Sequence, residues 1–159
     1  MMQSQRDRTW LAWRGMKVPP ACVTALVLGA IGFGCGDAMP ASSGPPTFPA
    51  DALTAAASTS GQLHVELRTD PQPPVHGAIA GQLAITNAAG EPVDGLDLAV
   101  VPWMPSHGHG TSITPRITAQ GQGLYLVEQL YLYMGGTWEL RTTISGAVDD
   151  EVVPNVEVP

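Results

Sequence analysis

The stretch GTWELRTTISG, Gly136–Gly146, alternates between two kinds of side chain more regularly than any other part of the chain. Trp138, Leu140, Thr142 and Ile144 fall on one side of the alternation. The residues between them are polar or charged: Thr137, Glu139, Arg141 and Thr143. Successive side chains of a β-strand point to opposite faces of a sheet, so this period of two predicts a strand with one buried and one exposed face.

Six further short strands are predicted around this one, and no segment of the domain has the helical period. They cover 62–68, 79–85, 98–104, 113–117, 123–133 and 151–159. Pro115 makes the fourth strand an edge strand, and Glu128 breaks the alternation of the fifth, which indicates a bulge or a bend. About seven short strands with turns between them predict an all-β, immunoglobulin-like antiparallel β-sandwich, with a small barrel as the alternative.

The N-terminal third predicts export and a tether. A basic start is followed by an apolar run over 23–33 and by Cys35, which predicts a signal peptide over 1–35, with Met1 or Met16 as the start. Residues 36–61 are small and Pro-rich, which predicts a disordered tether before a domain at 62–159.

Gly34-Cys35 resembles the end of a bacterial lipoprotein signal. The resemblance implies that Cys35 carries the lipid, and that the chain is anchored in a membrane on its periplasmic side. The residue directly after Cys35 is Gly36 and not the Asp that retains such lipoproteins in the inner membrane, which favours the outer membrane. A soluble secreted protein and an uncleaved N-terminal anchor are the alternatives.

Composition excludes several classes of function. After Cys35 only three arginines remain among many acidic residues, and an acidic surface repels phosphate backbones, so no nucleic-acid partner is expected. No cysteine follows Cys35, which leaves no disulfide and no thiolate metal site in the domain. The chain also has no nucleophile elbow, HExxH helix or phosphate-binding loop, so we expect that it is not an enzyme.

Two interpretations are open for VVPWMPSHGHGTS, Val100–Ser112. In an extended backbone His107 and His109 point to the same side and could share one ion. Imidazole suits copper and zinc, and thioether suits Cu(I), so Met104 and Met134 would complete a copper site if their loops meet. Alternatively the segment is a tight turn with a histidine bonded to backbone, and both methionines fill the core.

Four motifs in a fixed order resemble the YtkA-like domain family, to which FixH-type domains are related. They are the Gly-x-Pro-Val turn at Gly90, the Met-Pro and Gly/His-rich loop from Met104, the Gly-x-Tyr strand at Gly123, and Met-x-Gly-x-Trp from Met134. The resemblance implies an exported or membrane-associated bacterial β-sandwich with links to copper handling and respiratory-oxidase maturation. Many members carry methionines where this loop has histidines.

Together these observations predict an exported, lipid-anchored, non-catalytic accessory protein of the cell envelope. It would bind copper through His107, His109, Met104 and Met134. The alternative is a metal-free module that binds an unknown envelope protein through a sheet edge or its acidic face. We expect His64 to be a surface residue and His76 to be a turn residue.

Overall fold

A computed structural model describes residues 44–159, which form ten β-strands in two antiparallel sheets. The strands are β1 Thr54–Ala57, β2 Leu63–Asp70, β3 Gly77–Asn87, β4 Leu96–Met104, β5 His109–Gly110, β6 Arg116–Gly121, β7 Leu124–Leu132, β8 Gly136–Gly146, β9 Asp150–Val152 and β10 Asn155–Val158. The predicted signal peptide, the lipidated Cys35 and residues 36–43 of the predicted tether lie outside the described residues. Within 44–159 no helix is long and apolar enough to cross a membrane.

The two sheets confirm the predicted β-sandwich. Sheet A has the order β1-β2-β3-β7-β6. Sheet B has the order β10-β8-β4-β5, and β9 pairs with the second half of β8. The number of strands is ten and not seven, because the predicted last strand is divided at Pro154 into β9 and β10, and because β1 and the two-residue β5 add to the count.

Three local predictions have definite outcomes. Part of the predicted tether is wrong, because β1 at Thr54–Ala57 pairs with β2 through its backbone. The fourth strand begins at Arg116, after a buried Pro115, and it is an edge strand as predicted. The break in the fifth strand is confirmed: Gln129 has a φ of 59°, and the β3–β7 register shifts beside it.

The core lies between the sheets, on the inward faces of the long strands. Trp138, Leu140 and Ile144 are buried as the alternation predicts, and the hydroxyl of the buried Thr142 donates to the Leu140 carbonyl. The facing sheet and the neighbouring strand β4 add Val65, Leu67, Leu83, Ile85, Val100, Met104, Tyr125, Val127, Leu130 and Leu132. Full burial of one large apolar side chain stabilises a fold by about 1.5–3 kcal/mol, so this layer holds the two sheets together.

Strand register groups the loops into two ends of the sandwich. One end carries the loops at 71–76, 105–108 and 133–135, and we call it the histidine end. The other carries the loops at 58–62, 88–95, 122–123 and 147–149, and we call it the corner end. The predicted copper ligands lie at or beside the histidine end.

Candidate functional site

His107 lies in the tight hairpin turn between β4 and β5, and His109 is the first residue of β5. Met104 and His109 pair across the turn, and the Met104 carbonyl accepts from the backbone N–H groups of His107 at 3.2 Å and Gly108 at 3.0 Å. Gly108 has a φ of 66°, a left-handed conformation that glycine adopts without strain. The extended backbone considered from the sequence is therefore wrong, and the tight-turn interpretation describes the chain path.

The tight turn nevertheless brings the two imidazoles together. Both side chains are exposed, and their ring centroids lie 5.6 Å apart with an angle of 56° between the ring planes. An imidazole nitrogen binds a metal such as zinc at about 2.0–2.1 Å, so two imidazoles on one ion have centroids about 5–6 Å apart. The observed separation of the two ring centroids lies within this range.

One hydrogen bond defines which nitrogen of His109 is free. Its Nδ1 lies 3.3 Å from the Gly110 carbonyl oxygen, which can only accept. A bond to this acceptor requires the proton on Nδ1, so Nε2 is the ring nitrogen that a metal ion would use. Metal-binding histidines commonly donate their second ring N–H to a carbonyl in this way, which fixes the tautomer and the ring orientation.

Met104 does not share this exposed position. Its side chain is 1% exposed and belongs to the hydrophobic core. The methyl group Cε lies 2.9 Å from the place that a Cβ of Gly136 would occupy, so Met104 packs against the beginning of β8. The structure therefore places this thioether in the core, while the two imidazoles face solvent.

Met134 lies in the neighbouring loop, between β7 and β8. It is partly buried against the core, and its carbonyl accepts a hydrogen bond from Trp138 Nε1 at 2.9 Å. The preceding residue links the two loops, because the Tyr133 hydroxyl donates to the Gly110 carbonyl at 3.4 Å. The loop that carries Met134 therefore contacts β5, and Met134 is the more accessible of the two methionines.

His76 is a third imidazole at this end that the sequence assigned only to a turn. It is exposed in the β2–β3 loop, and its Nε2 lies 3.4 Å from the Cβ position that Gly135 lacks. The pairing of Gly77 with Leu132 produces this approach, and that register is not visible in the sequence. His64, in contrast, is exposed on β2 as expected.

Carboxylates do not complete the site. Among residues 44–159 no three side chains of His, Cys, Asp and Glu come close enough to hold one metal ion. The histidine end therefore offers two adjacent imidazoles, with one thioether and one further imidazole on the loops around them.

The sandwich, the Met-Pro hairpin and the loop that joins β7 to Trp138 of β8 all lie in the part of the chain that can be compared with known families. A family model described as YtkA-like matches residues 57–143. The chain belongs to the YtkA-like family. No curated protein and no solved structure matches it. The matched segment of this YtkA-like domain begins at the end of β1 and ends within β8, so it includes all three loops of the histidine end.

Proposed function

We propose that this YtkA-like chain is an exported, lipid-anchored and non-catalytic accessory protein of the cell envelope that binds copper. His107 and His109 are the primary ligands. The anchor is Cys35, which holds the domain on the periplasmic side of a membrane. Export and anchoring are supported by the basic and apolar N-terminus and by Gly34-Cys35.

The observation that carries the copper proposal is the spacing of the two exposed imidazoles, whose centroids lie 5.6 Å apart. Imidazole nitrogen is a good ligand for copper, and a neutral ring with its Nε2 free can bind at neutral pH. Because the turn is already closed by the Met104–His109 pair, binding requires little ordering of the backbone. Preorganisation of this kind raises affinity by reducing the entropy that binding would remove.

The two methionines have different parts in this proposal. Met134 is partly exposed on the loop that Tyr133 joins to Gly110, so its thioether is the one that we expect a bound ion to recruit. Met104 would have to leave the core, at a cost similar to that of removing a buried methionine, about 2–5 kcal/mol. The expected ligand set is therefore His107 and His109, with Met134 favouring Cu(I).

A copper titration with matched variants tests the proposal. Residues 36–159, which lack the signal segment and the lipidated Cys35, are titrated with Cu(II) and, under reducing conditions, with Cu(I) against a competing chelator. We expect one copper per chain. Binding is lost in His107→Ala/His109→Ala, retained in His64→Ala, and weakened for Cu(I) alone in Met134→Leu.

Two results would contradict the proposal. One is wild-type affinity no higher than that of a free peptide with the sequence PSHGHG. The other is unchanged binding in the double histidine variant. Either result would favour the metal-free alternative, in which the domain binds an envelope protein partner through a surface of the sandwich.

A further inference from the structure

The edges of the two sheets are not equally protected against pairing with another strand. Edge strands of natural proteins are usually short, bulged, interrupted by proline or covered. In sheet A, β1 has four residues and β6 has a register shift between Ala119 and Gly121. At one edge of sheet B, Pro154 separates β9 from β10. At the other edge β5 covers only Trp103 and Met104, so residues 96–101 of β4 have no neighbour on that side within 44–159.

The hydrogen bonds show which backbone groups of β4 point outwards. Pro102 pairs with Leu140 of β8, but the Leu140 N–H donates to the Pro154 carbonyl on the other side of β8. Pro102 and the residues two and four positions before it therefore direct their backbone groups away from β8. The Leu96 N–H agrees with this alternation, because it donates to the Tyr125 hydroxyl.

The free groups form a short segment with two defined ends. Leu98 and Val100 each present an N–H and a C=O to the outer side, and none of these four groups bonds to another part of residues 44–159. At one end the Leu96 N–H is already used by Tyr125, and at the other end Pro102 has no N–H. An added strand would thus find these four bonding groups, with no free N–H at either end of the segment.

We propose that this edge pairs with the same edge of a second copy of the chain, antiparallel about a two-fold axis at Ala99. In that register Leu98 faces Val100 of the second copy, and each such pair exchanges two N–H···O=C bonds. All four free groups of each copy are then satisfied. Leu96 faces Pro102 of the second copy. The Leu96 N–H is already bonded to Tyr125 and proline has no N–H, so this pair forms no N–H···O=C bond and the ladder ends there on both sides.

The side chains on the outer face of sheet B fit the same axis. Ala99, which is exposed, is the smallest side chain of the segment and lies at the axis, where two copies approach most closely. Val101 is 51% exposed and becomes covered. Isologous two-fold contacts of this kind are the commonest in homo-oligomers, and they need only one self-complementary patch.

The proposed contact also brings opposite charges of the two copies near each other. Asp97 of one copy faces Val101 of the other, and Val101 is next to Arg141 on β8. The Arg141 guanidinium lies 4.7 Å from the Trp103 ring centroid and bonds to Glu139, which holds it on this face. The chain is acidic overall, so the two copies repel each other at long range, and salt that screens this repulsion strengthens the dimer.

Sedimentation equilibrium of residues 36–159, without the lipidated Cys35, tests the proposal between about 10 μM and 1 mM, the range suited to a small interface. We expect a concentration-dependent dimer that Ala99→Asp abolishes, since like charges directly opposite each other destabilise a strand pair. Ala119→Asp is the matched control, because Ala119 is an exposed residue on the edge strand β6 and the variant has the same net charge. The control dimerises like the wild type.

Disulfide trapping tests the register itself. Facing residues at the axis form a non-hydrogen-bonded pair with Cα atoms about 4.5 Å apart, within the range that a disulfide spans. Residues 36–159 contain no cysteine, so Ala99→Cys gives a single thiol that we expect to form a covalent dimer on mild oxidation. Ala119→Cys should remain monomeric. A wild-type chain that stays monomeric at 1 mM, or equal behaviour of the position 99 and 119 variants, would overturn the proposal.

Discussion

The two ends of the sandwich are held together by different forces. At the corner end the buried Tyr125 hydroxyl donates to the Val93 carbonyl at 2.9 Å and accepts from the Leu96 N–H at 3.2 Å. Asp94 accepts from the backbone of Gly123 at 2.8 Å and of Gln122 at 3.2 Å. Short bonds between side chains and backbone thus fix the chain where it crosses from one sheet to the other.

The histidine end has fewer bonds of this type, and the short bond from Trp138 Nε1 to the Met134 carbonyl, at 2.9 Å, does not involve the β4–β5 turn. The contacts of Gly110 with Tyr133 and His109 are 3.4 and 3.3 Å long. The loops of this end pack on the buried side chains of Met104 and Trp138. The comparison teaches that hydrogen bonds fix the corner end. The histidine end is held by packing on the core, and its imidazole nitrogens remain available to a ligand. Three predictions test this difference.

The largest effect is expected where the histidine end meets the core. Met104→Ala removes a side chain that is 1% exposed and leaves a cavity against Gly136. We expect the free energy of unfolding to fall by about 2–5 kcal/mol. Met104→Leu nearly conserves the volume and should cost less than about 1.5 kcal/mol. Urea unfolding followed by circular dichroism measures both, and a loss of only a few tenths in the alanine variant would show that Met104 does not support this end.

A smaller loss is expected from Tyr125→Phe at the corner end. The substitution keeps the ring but leaves the Leu96 N–H without its partner and removes the bond to Val93. One unsatisfied buried group costs about 1–3 kcal/mol, so the unfolding free energy should fall by that amount.

His107→Ala/His109→Ala is the matched test at the other end. It should change stability by less than about 0.5 kcal/mol, because both side chains are exposed. Equal losses in the tyrosine and histidine variants would remove the difference between the ends.

The smallest effect depends on pH and belongs to the corner end. Hydrogen bonds from the Ser58 and Ser60 side chains, together with the backbone N–H groups of Glu151 and Ser60, hold the pKa of Asp150 well below its ordinary value of 3.8. A lowered carboxyl pKa stabilises the fold above the unfolded value, and this contribution is lost as the pH falls through the folded pKa. The group is accessible to solvent, so the contribution is small.

Asp150→Asn should therefore be less stable than the wild type at pH 7, and the difference should shrink as the pH falls below about 4. Asp149→Asn, at the exposed neighbouring position, is the control for the change in net charge. Thermal unfolding of the three proteins between pH 7 and pH 3 measures the difference. A difference between Asp150→Asn and wild type that grows on acidification would contradict the assignment.

The sequence predicted the long strands because burial of one face imposes a period of two. This holds for β8, where Trp138, Leu140 and Ile144 are all buried. It fails for β1, whose alanines show no alternation and which is held by its backbone pairing with β2. It also fails for β5, since two residues cannot display a period.

The candidate site was predictable only in part, for a related physical reason. Met104 lies four residues after Val100, so a regular strand already places the two side chains on the same inner face. The separation of the imidazoles depends on the left-handed Gly108, and the approach of His76 depends on the pairing of β3 with β7. These depend on the folded backbone and not on the spacing of residues along the chain.

The turn between β4 and β5 is bounded by two positions that cannot vary freely. Met104 fills the core, and a side chain at Gly110 would collide with the Pro102 carbonyl oxygen. Pro105, Ser106 and His107 between them are exposed. An evolving gene can therefore exchange the exposed residues, and with them the ligand chemistry, at almost no risk to folding. Natural variation and loop grafting should both concentrate there, with binding specificity free to diverge while the scaffold stays unchanged.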